Sequence, residues 1–490
     1  MSTDTLLAGV AKSDITTEAP DARVHDPMYA KALVLDDGAT KLAIISMDAV
    51  AIGGICDVSN DFLPKLRARI ESELSIPAKH VLVHATHTHP PVRHLCDDAA
   101  QLERTFNAVG QALNNLTPVT VGAGKGHEDR IIINRTMRLN DGQHWTIRLS
   151  NPCPRDEEIQ SLGPIDPEIG ILRFDRIDGS PLAVLYNYAC HPLVGVPGGK
   201  VTANYPGFAS KTIEQNLGHD AMALFIQGAA GDITERVYKD VDHPRDSQPI
   251  GVTLGLSTLD ALHDIKTQHA TLAVASGTVK LPRRNDSDAF IAELEKERTE
   301  LNAALRFTPL NFKKFLPLYL KYALNPQTPG DYRYAYLHAE QTGSTDLAEM
   351  DRENRMNIDK YLANIDAMEK LARLEDKIET LKRHKAINKE SGEKTITAEI
   401  QAIRIGDCVI LAAPMELLVE VGLRMKRNSP YPHTLIAAFS NGYMHYAPPA
   451  DYYLKGGYEA TECLLAPEWE AIFDAKLVEV LGQIPLATTL

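Results

Sequence analysis

From residue 7 to about residue 280, short apolar runs alternate with stretches in which apolar positions recur every three or four residues. That pattern predicts strands interleaved with helices, an α/β arrangement. Candidate strands fall at 42–47, 80–84, 171–174, 182–188 and 221–226. The segment 207–217 has helix spacing and ends on Gly218, a residue free to take the left-handed backbone that stops a helix. Near residue 285 the pattern changes. Residues 288–305 and 346–384 are strongly charged and helix-prone, and in the second stretch Ile358, Tyr361, Ile365, Met368, Leu371, Leu374, Ile378 and Leu381 form an apolar seam along one helix face. We read this excursion as a helical hairpin packed on the rest of the protein rather than a self-association seam. Phe307, Phe312, Phe315, Leu318, Tyr319 and Tyr322 would give it an apolar underside, suited either to a lid over a crevice at strand ends or to a packed ornament. Strand-like runs return at 408–413 and 434–439. The expected organisation is one α/β (α+β) domain in two pieces, 1–285 and 395–490, with a helical insertion at 286–394. Its core would be a mixed β-sheet with flanking helices.

Composition narrows the function. With 490 residues, 44% of them hydrophobic, the chain can bury a large core. Its net charge of -14 opposes a nucleic-acid or anionic-membrane partner, which needs clustered Lys and Arg. No run approaches the roughly 18 apolar residues that span a bilayer, and the first residues lack the basic and apolar stretches of a secretion signal. A cytoplasmic protein without integral membrane contact is expected; homo-oligomerisation stays open. The six cysteines never pair as CxxC, so neither a disulfide framework nor a thiolate zinc site is signalled.

The densest group of metal-type side chains is VLVHATHTHPP at 81–91, which sets His84, His87 and His89 just beyond an apolar run. Ligands of open α/β sheets gather past strand carboxyl ends. Residues two apart in an extended segment face one side, so His87 and His89 can share a pocket, and neutral imidazole is a common transition-metal ligand. A second run, LYNYACHP at 185–192, ends in His191 and a proline that stops further pairing. A catalytic zinc takes three or four N and O ligands and keeps a place for water, so a carboxylate is expected as well. Chemistry alone does not choose it among the 65 Asp and Glu residues. Other metallohydrolase patterns fail: HxHxDH would need an acid where Pro91 stands, HExxH is absent, and eight repeated βα units are not seen.

Five motifs occur in a meaningful order: AGVAKSDIT at 8–16, ATHTH at 85–89, NYACHP at 187–192, GDIT at 231–234 and NGYMHY at 441–446. In this order they resemble the neutral/alkaline (non-lysosomal) ceramidase family, over residues 8 to about 465. The resemblance implies one zinc per chain, held by His87, His191, Glu416 and Tyr446. It also implies that His89 and Tyr458 contact the scissile group and that Arg135 lies on the substrate side. Asp232 is expected to orient a ligand histidine. Family members carry a serine, proposed as nucleophile, where this chain has Thr234; with a more crowded hydroxyl and no activating base evident beside it, water is the expected nucleophile. Pro90 and Pro91 replace a glycine-rich loop, and the accessory C-terminal domain of many ceramidases is not found. A zinc-dependent amide hydrolase acting through metal-activated water on a small N-acyl substrate is therefore the expected function. A zinc-dependent esterase, lactonase or carbohydrate-derivative hydrolase, and a non-catalytic zinc-stabilised binding protein, are the alternatives.

Overall fold

The computed structural model describes residues 5–485 apart from 90–92, 148–153, 219, 239–241 and 331–332. Pro90 and Pro91 lie outside the described residues. The chain divides into two units, Met1–Arg284 with Asn388–Leu490, and Asn285–Ile387. The first unit holds the strands. β1 (Leu7–Asp14), β2 (Tyr29–Asp36), β3 (Lys41–Met47) and β4 (Val81–Ala85) are followed by the long β5 (Thr117–His127). Four short strands come next: β6 (Ile132–Asn134), β7 (Thr136–Leu139), β8 (His144–Thr146) and β9 (Ile159–Leu162). Then follow β10 (Glu168–Arg176), β11 (Pro181–Tyr188), β12 (Met222–Gln227), β13 (Ile233–Glu235) and β14 (Leu272–Pro282). Beyond the helical unit lie β15 (Thr395–Ile405), β16 (Cys408–Ala412), β17 (Glu416–Leu417), β18 (His433–Ala437) and β19 (Tyr446–Ala447).

Eight strands form one sheet in the order β12-β11-β10-β5-β1-β2-β3-β4, and four form a second in the order β14-β15-β16-β18. Most neighbours are antiparallel, but β3–β4, β11–β12 and β16–β18 run parallel. A parallel pair needs a long crossover. The helices Phe62–Leu74, Asn204–Leu217 and Val419–Asn428 lie in those three crossovers. The larger sheet curls until β12 meets β3 and β4: Gln227 N–H donates to His84 Nε2 (2.7 Å) and Ser46 Oγ to the Phe225 carbonyl (2.7 Å).

The two sheets share a core in which Leu33, Ile44, Leu172, Leu224, Ile410 and Leu435 are buried. Helices cover the outer faces, with Asp98–Asn114 beside the first crossover helix, Gln248–Leu262 beside the second and Trp469–Leu481 on the smaller sheet. Strands buried on both faces read as continuous apolar runs, which is why β3, β4, β11 and β16 stand out in the sequence. One polar side chain crosses the core usefully. The Asn187 amide donates to the Ile226 and Ile436 carbonyls (2.8 and 2.9 Å) and accepts from Ile436 N–H (3.2 Å), tying β11 to β12 and β18. The expected mixed α/β fold is what the chain forms; the expected run 434–439 ends early because Phe439 turns into the left-handed region (φ 55°).

The second unit has the helices Ser287–Ala304, Phe312–Leu324, Arg333–Thr342 and Asp346–Glu390, the last 45 residues long. Ion pairs Lys382–Glu295 and Arg298–Glu375 lay the first helix along the last. Of the expected seam, Ile358, Leu374, Ile378 and Leu381 are buried, whereas Met368 is 60% exposed. The expected apolar underside is not one surface. Phe315 stacks on Tyr361 (centroids 4.4 Å apart) and joins Tyr322 and Ile358 in the unit's own small core, while Phe307 and Phe312 are 91% and 62% exposed. Among the described residues, no helix is long and apolar enough to cross a membrane.

Candidate metal centre

The histidine loop leaves β4 under tight control. Thr86 N–H donates to Met47 O (2.9 Å) and His87 N–H to Ala49 O (2.8 Å), so the loop follows the exit of β3. His87 takes φ 64°, a costly backbone for a residue other than glycine and of the kind that clusters at functional sites. Its ring is fixed by Nδ1 on the Val50 carbonyl (2.7 Å) and by stacking on Phe439, 3.9 Å between centroids. His84 turns the other way. Its Nε2 accepts from Gln227, its Nδ1 meets Ser440 Oγ at 3.0 Å, and burial drives its pKa down to about 3, so it is a satisfied core histidine.

His191 follows β11 and is fixed in the same manner, with Nδ1 2.5 Å from the Ala230 carbonyl and 3.1 Å from that of Ile233. Carbonyls only accept, so in both His87 and His191 the proton sits on Nδ1 and Nε2 presents a lone pair. Glu416 opens β17, paired in parallel register with Tyr446 of β19. Its Oε2 lies 3.1 Å from His191 Nε2 and 3.6 Å from His87 Nε2. His89 Nε2 stands 3.0 Å from His87 Nε2, and ligand atoms of all three histidines lie within 4.8 Å of one another. Burial holds His191 at a pKa of about 4 and His89 well below its ordinary value. Two lone pairs facing one carboxylate oxygen repel unless a cation lies among them. The donor set, imidazole nitrogens with a carboxylate, suits zinc and similar borderline ions.

A second network adjoins this cluster. Arg135, 5% exposed, donates from Nε to Glu459 Oε1 (2.8 Å) and from one terminal nitrogen to the Gly231 carbonyl (2.7 Å) and the Tyr446 hydroxyl (3.0 Å). Its guanidinium lies 5.7 Å and 5.5 Å from the ring centres of Tyr446 and Tyr458. Burial and Glu416 push the Tyr446 hydroxyl well above its ordinary pKa, and Arg135 pulls it back. Gly231 is required by closeness: a Cβ there would meet the Glu416 carbonyl at 3.0 Å.

No protein-family model matches this sequence, and no curated protein matches it. Solved structures do match. The crystal structure of neutral ceramidase from Pseudomonas aeruginosa aligns with a TM-score of 0.62 at 16% identity, over 99% of this chain and 76% of that one. A ceramidase complexed with C2 aligns at 0.61 and 14%, over 99% and 77%. The fold is that of the neutral ceramidases.

In this neutral-ceramidase fold, His87 and His89 follow β4, His191 follows β11, Glu416 follows β16, and Tyr446 follows β18. All four of those strands belong to parallel pairs. Three expectations change. Arg135 was expected on the substrate side, but its guanidinium is engaged inside the protein by Glu459, Gly231 and Tyr446. Asp232 was expected to orient a ligand histidine. Its carboxylate instead accepts from Val419 N–H and Asn134 Nδ2, both at 2.8 Å, pinning the start of the third crossover helix, and burial lifts its pKa to about 7. The His191 ring is oriented by the carbonyls of Ala230 and Ile233. Thr234 does have a base beside it: its hydroxyl donates weakly to Glu235 Oε2 (3.4 Å), whose pKa burial raises to about 7 and whose other oxygen accepts from Leu193 and Val194 N–H. Tyr458 sits with its ring 5.5 Å from that of Tyr446. Three residues were not foreseen. They are Phe439, which backs His87; Glu459, which also accepts from Thr146 Oγ1 (2.9 Å); and Tyr443, whose hydroxyl donates to Glu416 Oε1. All three lie in segments already singled out, Phe439 at the end of the 434–439 run, Tyr443 in NGYMHY and Glu459 beside Tyr458.

Proposed function

We propose that this chain is a zinc-dependent hydrolase that cleaves the amide bond of a small N-acyl compound. The reading rests on one observation: Nε2 of His87, His89 and His191 and Oε2 of Glu416 converge, with the Nδ1 atoms of His87 and His191 committed to carbonyls. His87, His191, Glu416 and Tyr446 would hold one zinc, with His89 beside it. Bound zinc would supply Lewis acidity, polarising a carbonyl and lowering the pKa of water towards about 7.

The chain's own groups do the remainder. His89, kept neutral by burial, takes a proton at Nε2 from the attacking water and returns it to the departing amine. Tyr458 offers a hydroxyl to the carbonyl oxygen as charge develops there. Arg135 holds the Tyr446 hydroxyl in place. A small substrate is favoured over membrane ceramide because Pro90-Pro91 stands where family members have a glycine-rich loop.

Metal analysis of purified protein, with a hydrolysis panel of N-acyl amines from short to long chain, tests the reading. About one zinc per chain and turnover of short N-acyl amides are expected, and His191→Ala and Glu416→Gln should lose both, since each removes a ligand. Thr234→Ala should keep activity within about tenfold, roughly 1.4 kcal/mol in the barrier. Stoichiometric zinc in both ligand variants would sink the assignment. Zinc without turnover of any acyl amide or ester would leave a binding protein.

A further inference from the structure

The two oxygens of Glu416 have different neighbours. Oε2 faces the convergence, 3.1 Å from His191 Nε2, whereas Oε1 accepts the hydroxyl of Tyr443. The position of Tyr443 is itself built. Gly54, at φ 78°, backs onto it so closely that a Cβ there would lie 3.1 Å from the ring Cδ1 and 3.2 Å from the Tyr443 carbonyl oxygen. Two residues earlier, Asn441 is stitched to β4, its N–H on Val83 O (2.8 Å) and its side chain accepting from Val83 N–H (2.9 Å). The phenol is thus delivered by a rigid segment to one chosen oxygen.

A hydroxyl donating to an ionised carboxylate makes one of the stronger hydrogen bonds available to a protein. An oxygen so engaged is a poor metal ligand, and a carboxylate held at one end resists the rotation that would bring both oxygens onto an ion. We propose that Tyr443 is a positioning residue that restricts Glu416 to binding metal through Oε2 alone, which keeps a coordination position free for substrate. This rests on the reading that the cluster holds zinc.

Tyr443→Phe is the direct test, because it keeps the ring against Gly54 and removes only the hydroxyl. Zinc affinity measured by competition with a chelator should fall about 10- to 100-fold, the usual effect of losing a partner of a ligating group. With cobalt(II) in place of zinc, the visible absorption should weaken as the glutamate swings to bind through both oxygens and raises the coordination number. Gly54→Ala, which keeps the hydroxyl but displaces the ring, should move both readouts in the same direction. A folded Tyr443→Phe protein with either wild-type zinc affinity or a wild-type cobalt spectrum overturns the proposal while the metal reading stands. Wild-type protein that takes up neither zinc nor cobalt overturns both.

Discussion

Arg135 shows how far one side chain can be understood from its motif. The segment that carries it is recognisable, but its partner Glu459 lies 324 residues away and Tyr446 311, so no local reading could tell a substrate-facing arginine from an internal one. The same holds for Asp232, whose partners Asn134 and Val419 are 98 and 187 residues distant. His87 and His191 were easier to see, because each stands just beyond an apolar strand and carries the chemistry in its own side chain, whereas Glu416 and Tyr446 came only from the family resemblance. Arg135→Met should cost about 3–5 kcal/mol, since it strands a buried carboxylate at Glu459 and leaves the Gly231 carbonyl without its donor. The urea midpoint would report it. Arg135→Lys should recover only part of the loss, because a single ammonium cannot reproduce the planar fork that serves three acceptors. A Met variant as stable as wild type would mean that the network contributes nothing to folding.

Several elements were legible because they are buried on both faces, although β2, buried along most of its length, was not among the candidate strands. β3, β4, β11, β12 and β16 announce themselves as apolar runs because both faces are covered, and the Asn204–Leu217 helix by its spacing and its terminal glycine. Strand direction was not legible, since pairing is decided by partners far along the chain. Two helices of the second unit were missed. In Phe312–Leu324 the obstacle is Pro317, which sits inside the helix where proline ordinarily breaks one. The long helix Asp346–Glu390 offers an internal control. Leu374 is buried and Met368 is 60% exposed, although both sit on the same apolar seam. Leu374→Ala should destabilise this unit by about 2–4 kcal/mol, whereas Met368→Ala should stay within about 0.5 kcal/mol. Amide exchange across residues 346–390 would separate them, and equal protection in the two variants would contradict the burial.

For the whole molecule, the buried titratable groups oppose each other. Burial lowers His84 to about 3 and His191 to about 4 from the ordinary 6.5, and His89 moves the same way. Their stabilisation is present above 6.5 and is lost as pH falls through those lowered values, because the unfolded chain binds the extra protons. Asp48, Asp232 and Glu235 are raised to about 7, so their contribution is present at acid pH and is lost as pH rises through 7. Burial also lowers His144 to about 4, so between about pH 5 and 6 four histidines oppose three acids, and the metal-free protein should gain about 1.4 kcal/mol of stability per pH unit as pH rises there. His84→Gln should remove that excess and leave stability almost flat across the window. Denaturant midpoints at three pH values would settle the sign, and an unchanged slope would mean that His84 is protonated in the folded state.

The distance along the chain between the pieces of the centre also sets a timetable for its birth. At about 5–20 residues per second, a ribosome needs on the order of 20–70 s to pass from His87 to Tyr446. For much of that time His87 and His191 are already out, carried by strands of the larger sheet. β14, however, waits for β15 across more than the whole helical unit, and β16 and β18 come later still. On the proposed zinc reading, the nascent protein would be two imidazole arms without their carboxylate, able to hold a cation only loosely. If zinc is bound there, tight uptake would belong to the last moments of synthesis or after it, once Glu416 and Tyr446 have joined the two histidines.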